Sequence, residues 1–148
     1  MKLPRYELKA EESLMIYEFI SEGHKGEIIK LIKFSETTLK DFFNLAFGDK
    51  NKDTGEISDT VVSDNGDTEM VLATVVAAVY AFTDSKPNMW VYATGSTKSR
   101  TRLYRMGISK FIDEIKKDFS IYGQLEGEWE NFEKEVSLYT FLKIYLCV

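Results

Sequence analysis

The residues best placed to do chemistry are basic ones, gathered in a stretch that holds no acid. Between Ser85 and Ile112 the chain carries Lys86, Lys98, Arg100, Arg102, Arg105 and Lys110, with no aspartate or glutamate. Three of the four arginines fall between positions 100 and 105. The formal net charge is −5 and the stretch carries +6, so the remainder carries −11. Such segregation builds a local positive site on an acidic body. Within it, Met89 to Thr94 has strand composition, and Gly95-Ser96-Thr97 is small and polar. A helix is predicted from about Thr97. A helix start exposes unpaired N–H groups and a partial positive charge, and anions settle there. Gly95 allows close backbone approach. Ser96, Thr97 and Ser99 add hydroxyl donors. Lys98, Arg102 and Arg105 stand at i, i+4 and i+7 on one helical stripe, and Arg100 points elsewhere. Ser99, Leu103 and Met106 form the neighbouring face, expected to pack inward. Guanidinium groups suit bidentate contacts to phosphate or carboxylate. Gly95, Ser96, Thr97, Lys98, Arg100, Arg102 and Arg105 are therefore the expected anion-binding set. The blander alternative has Ser96 or Thr97 capping the helix and the arginines neutralised by the chain's own carboxylates. Gly95-Ser96-Thr97-Lys98 is not a P-loop, because the first glycine and the ordered Gly-Lys-Ser/Thr ending are missing.

Other chemistry finds less support. His24 is the only histidine and Cys147 the only cysteine. Any Ser–His or Cys–His scheme must use that one imidazole, in a predicted turn flanked by glycines. The same counts exclude a His/Cys zinc cage within one chain, and no disulfide can form inside it. Asp49-Lys50-Asn51-Lys52-Asp53-Thr54-Gly55 resembles the start of a calcium loop. Its glycine comes one place late and Thr60 stands where the closing glutamate belongs, so a hairpin loop is expected. Glu126, Glu128, Glu130, Glu133 and Glu135 alternate around Trp129 and Phe132 like a solvated strand face. No spacing selects for a bound metal, and no cofactor is expected.

These side chains need elements to hold them. A chain of 148 residues, 44% hydrophobic and 14% aromatic, can bury a core, and one domain over 1–148 is expected. The acidic balance argues against wholesale binding to duplex nucleic acid. The N-terminal residues lack an apolar signal core, and the longest apolar run, around Val75 to Phe82, is short for a bilayer. A cytoplasmic protein off the membrane is the expectation.

Tyr17 to Ile20 and Glu27 to Phe34, separated by a glycine-flanked turn, read as a hairpin. Phe42 to Phe47 and Ile57 to Ser63 are further strands of an antiparallel meander. Asp67 or Thr68 caps a helix over 68–82, apolar on most faces and so expected to lie deep. Residues 89 to 94 add a strand to the sheet. A second helical region covers 97–118, with Gly107 ending its first piece and Ser109 capping the next. A late hairpin joins Ser120–Gly123 to Glu128–Phe132. The segment from Ser137 is ambiguous between strand and helix. The fold class is α+β, with an N-terminal antiparallel meander, then helix-strand-helix, one mixed sheet and helices mainly on one face.

Phe42 to Asp49, Val61 to Asp67 and above all Ala93-Thr94-Gly95-Ser96-Thr97 with Arg100-Thr101-Arg102-Leu103-Tyr104 and Met106-Gly107-Ile108 resemble a family of small bacterial proteins of unknown function, known mainly from Bacteroidota. The resemblance spans about Tyr17 to Trp129 and implies no activity. Two fold-level analogies imply an enzyme. The ribonuclease-H-like order of elements would need Glu18 or Glu22 with Glu69 around a metal, and Thr94 stands where an acid is wanted. Leu103-Tyr104-Arg105-Met106-Gly107-Ile108 echoes the acetyltransferase Leu-Tyr-x-x-Gly-Phe, yet the loop that would cradle coenzyme A, Asp64 to Asp67, is acidic. The leading expectation is a non-enzymatic module that holds an unknown anionic ligand, either nucleic acid or an acidic protein surface, as monomer or homodimer. Tyr139, Phe141 and Tyr145 are the residues a homodimer or another protein would meet.

Overall fold

The computed structural model describes residues 4–58, 64–93, 98–125, 127–132 and 141–146. They form two compact units, one of residues 1–34 with 46–85 and one of 35–45 with 86–148. The class is α+β.

In the first unit the expected hairpin is present. Strand β1 (Lys9–Ala10) pairs antiparallel with β2 (Ile16–Gly23), which pairs antiparallel with β3 (Gly26–Glu36). The register closes at Gly23 opposite Gly26, which leaves His24 and Lys25 as the turn. Gly26 has φ 85°, a conformation that glycine adopts without strain. Period-two alternation on β2 buries Tyr17, Phe19 and Ser21 and leaves Ile16, Glu18 and Ile20 less covered. Strand β4 (Phe42–Asp49) ends in this unit.

Helix α1 (Thr68–Ser85) starts where Val71 N–H donates to Asp67 O at 3.0 Å, which makes Asp67 the N-cap. Glu69 sits in its first turn, favourably for the helix dipole. Its β-branched composition would also suit a strand, but eighteen residues and an apolar surface buried over five consecutive positions, Val71 to Val75, make it a core helix. Thr74 and Thr83 are buried without cost in unpaired hydroxyls, because each donates to the carbonyl four residues back, at 2.6 and 2.8 Å. Phe82 lies parallel to Phe34, with ring centroids 4.1 Å apart, and Tyr17 meets Phe34 edge-on at 5.9 Å.

The would-be calcium loop is a hairpin. Lys50 bridges Ile57, and Asn51 Oδ1 accepts from the N–H groups of Asp53 and Thr54. Asp49 is not solvated but buried, paired with the buried Lys30 ammonium at 2.7 Å. Residues 59–63 of the predicted fourth strand lie outside the described residues.

In the second unit five strands form a mixed sheet in the order β4, β5 (Trp90–Ala93), β8 (Phe141–Leu146), β6 (Phe119–Leu125), β7 (Glu128–Asn131). β5 runs parallel to β4, and the other neighbours are antiparallel. Of the ambiguous C-terminal segment, Phe141–Leu146 is a strand, inserted between β5 and β6, and the rest lies outside the described residues. Helix α2 (Lys98–Ile115) differs from expectation, since it runs unbroken through Gly107, which is buried within it. A single helical glycine costs about 1 kcal/mol. The burial of Ile108, Phe111 and Ile115 on the same face offsets that cost. That face also corrects the inward assignment of Met106, which is 41% exposed. At 100° per residue, Met106 lies about 160° from Ile108 around the helix. Among the described residues no helix is long and apolar enough to cross a membrane.

The buried Lys30–Asp49 pair yields a stability prediction. Lys30→Met removes the ammonium that the buried Asp49 carboxylate pairs with and should lower the unfolding free energy by about 3 kcal/mol. Lys30→Met combined with Asp49→Leu should recover most of that loss in urea unfolding, because an apolar pair carries no desolvation cost.

Candidate functional site

Helix α2 carries its charges the wrong way round. Lys98 and Arg100 lie in its first turn, where the helix dipole is positive, and no acid is there to offset them. Asp113 and Glu114 lie near its other end, where the dipole is negative. Lys116 and Lys117 pair with them across 3.2 and 3.9 Å, but both pairs are exposed and stabilise little. Helix α1 shows the conventional arrangement, with Asp67 and Glu69 at its start. A cation at a helix start costs about 0.3 to 1 kcal/mol. The first turn of α2 thus holds two basic residues and no acid.

Of the expected anion-binding residues, Gly95, Ser96 and Thr97 lie outside the described residues. Lys98 and Arg100 are placed as the first and third residues of α2. Arg102 is exposed on the side of α2 away from the buried face, and Arg105 is half-buried on its flank. Among the described residues neither guanidinium has an ion-pair partner. Charge also divides by unit. The first holds eight basic and fourteen acidic residues, the second eleven and ten, so the net charges are −6 and +1.

The other candidates resolve into structure. Asp67 accepts from Tyr6 Oη at 2.6 Å and from the Ser21 hydroxyl. Asn65, only 1% exposed, accepts from Lys25 N–H at 2.6 Å and donates to Gly26 O at 2.9 Å and Ser21 Oγ at 3.2 Å. His24 is exposed beside this network, and its backbone N–H donates to Asn65 O at 3.3 Å. The constellation of Ser21, Asp67, Tyr6, Asn65 and His24 thus ties the β2–β3 turn to the start of α1. Glu18, wanted for a nuclease centre, pairs with Lys50 at 3.1 Å. Among the described residues no three His, Cys, Asp or Glu side chains gather as a metal would need.

Sequence reasoning missed the second face of the mixed sheet. Val91, Ala93, Phe119 and Ile121 are buried in one phase of the alternation. The opposite phase holds Phe42, Trp90, Tyr92 and Tyr122, all half-buried. Register places Asn44 beside Tyr92 and Gln124 beside Trp129, and it places Tyr145 opposite Trp90 and Lys143 opposite Tyr92. Phe42 stacks on Trp90 at 5.8 Å and on Tyr92 at 5.3 Å. The available signal was the phase of Trp90-Val91-Tyr92-Ala93, apolar on both faces, which a one-sided strand would not need.

Burial raises Tyr6 above its ordinary 10.0, aided by its bond to Asp67, and burial alone raises Tyr17 and Tyr92. The folded state therefore keeps protons that the unfolded chain gives up near pH 10. Stability from these groups is complete below pH 10 and is lost as pH rises through and above it. Tyr6→Phe should flatten that alkaline fall in a pH series of urea midpoints. Asn65→Ala should cost about 2 to 3 kcal/mol, since it strands the Lys25 N–H and the Gly26 carbonyl.

No curated protein and no solved structure matches the chain. One family model does, across residues 2–144, which is nearly the whole length. The chain belongs to that family, a family of unknown function (DUF6934).

Proposed function

We propose that the chain is a cytoplasmic, non-enzymatic binding module that captures an anionic group, a phosphate or a carboxylate, at the leading end of α2. The observation that carries this reading is the reversed charge of α2. Lys98 and Arg100 oppose the dipole. Arg102 and Arg105 lack ion-pair partners among the described residues. An anion would satisfy the dipole and the cations together. Arg102 supplies a planar fork for two oxygens, and Arg105 flanks it. Ser96 and Thr97, at the entry to the helix, would add hydroxyl donors. The near-neutral second unit tolerates an approaching anion better than the strongly acidic first unit does. Single-stranded nucleic acid is the macromolecular ligand this reading favours, since its phosphates are spaced along a flexible backbone that one short basic stripe can follow.

The test separates electrostatic frustration from ordinary surface charge. Titration of the labelled chain with inorganic phosphate, then with decathymidylate, should shift the amides of residues 95–102 first. Lys98→Glu should raise the thermal midpoint of the free protein, because it replaces an opposed charge with a favoured one, by about 0.3 to 1 kcal/mol in stability. The same change should abolish the amide shifts. Arg102→Ala should weaken decathymidylate and lower the salt slope by about 1. Unchanged amides at 95–102 in an intact fold would remove the reading.

A further inference from the structure

Strand β1 is an end strand, with β2 on one side and no described strand on the other. Its main-chain groups alternate in direction. Glu11 N–H donates to Ile16 O at 2.9 Å, and the register sets Lys9 opposite Glu18 and Ala10 opposite Tyr17. Lys9 and Glu11 therefore turn their main-chain groups toward β2. Ala10, with Leu8 one step earlier in the same phase, turns them toward the open edge. Beneath that edge lies a cleft of about 460 Å³, bordered by residues 5–8 and Ala10, by Tyr17 on β2 and by Ala77 and Ala81 on α1. Ala77 is half-buried and Ala81, one helical turn on, is exposed. Their methyl groups leave the space between the edge strand and the helix unfilled. Tyr17, 2% exposed, closes the cleft from within, and its hydroxyl is buried without a hydrogen-bond partner.

We propose that this groove between β1 and α1 binds an extended segment of a partner protein as an added strand, with the alternation basic, threonine-like, acidic, threonine-like, basic. The edge supplies the main-chain donors and acceptors of Leu8 and Ala10, and the cleft supplies room for alternate side chains, the two requirements of strand addition. The charge pattern follows from the edge itself, which reads Glu7-Leu8-Lys9-Ala10-Glu11. Residues directly opposite in a sheet share a face, where opposite charges attract and like charges repel. Ala10 shares the buried face with Tyr17, so Glu7, Lys9 and Glu11 belong to the other face. A partner strand that meets those three needs a cation, an anion and a cation in turn. Its two remaining side chains enter the cleft beside Ala77 and Ala81. Threonine suits that place, with a methyl for the alanine wall and a hydroxyl for the unpartnered Tyr17 phenol. A second copy of the chain fits worse, because pairing through Leu8 and Ala10 sets Glu7 against Glu11 and Lys9 against itself. The groove lies in the first unit, so the inference stands whether or not the anion reading of α2 holds.

The probe is the capped peptide Lys-Thr-Glu-Thr-Lys, and its control is the charge-inverted Glu-Thr-Lys-Thr-Glu. Each is titrated to millimolar concentration into full-length, isotope-labelled protein. The first should shift the Leu8 and Ala10 amides saturably, and the second should bind about tenfold more weakly, since all three cross-strand pairs change sign. Ala10→Pro removes the outward N–H without touching the pairing with β2, and should weaken binding about tenfold. Ala81→Leu fills the groove from an exposed helix position and should weaken it about fivefold. Glu7→Lys combined with Glu11→Lys should exchange the preference between the two peptides, which a merely structural effect would not do. These surface changes keep the test decisive should Ala10→Pro lose its circular dichroism. No shift at residues 8 and 10 overturns the proposal. So does equal affinity for the two peptides, or binding that Ala81→Leu and the double lysine variant both leave unaltered. A dimer of the free protein by light scattering that Ala10→Pro dissociates assigns the edge to a second copy of the chain, and overturns it too.

Discussion

The second unit depends on one constraint, the period-two alternation of β5. That strand is flanked by β4 on one side and β8 on the other, so both its edges are hydrogen-bonded. Its two faces must then find different partners. Val91 and Ala93 face the buried side of the sheet. Trp90 and Tyr92 face the other side, where Phe42 stacks on both. A shift of one residue in register would send the two large rings to the buried side and the two small residues to the half-buried one. The size difference between the phases thus fixes the register.

The first unit solves a different problem, that of placing polar groups in a tight interior. Lys30 and Asp49 are buried as a pair, and Asn65 and Ser21 are buried as a linked network. Each of these residues has its needs met within a few ångströms, which is what makes such burial tolerable. The network cross-links the turn after β2 to the start of α1 through side-chain bonds, where apolar packing alone would leave the turn free to slide. Its chemistry is that of a brace. This polar network and the basic start of α2 therefore belong to different units.

Legibility followed the range of the interactions. The β2–β3 hairpin, α1, β5 and the β6–β7 hairpin were readable because each rests on local pattern, namely alternation, a cap or a glycine-bearing turn. The path of α2 through Gly107 was not, because the glycine penalty is local whereas the packing of Ile108, Phe111 and Ile115 that outweighs it comes from the sheet. The strand character of Phe141–Leu146 was hidden for a similar reason, since its place between β5 and β6 depends on partners far away in sequence. The basic cluster could be located from composition alone, and its opposition to the helix dipole followed once the start of α2 was known. The ring contact between Tyr92 and Trp129 could not be read from sequence, because the two meet only through the order of four strands.

The close approach between Gly23 and Asn65 has a consequence for the family. A β-carbon built on Gly23 would sit 1.8 Å from the Asn65 carbonyl oxygen, inside any permissible contact. The oxygen belongs to the main chain, so no choice of residue at 65 relieves the clash. A relative that carries alanine or anything larger at this position must have rerouted the loop between the meander and the first helix. Position 23 is thus a one-letter marker, readable in any new member's sequence, of whether this loop geometry has been inherited or rebuilt.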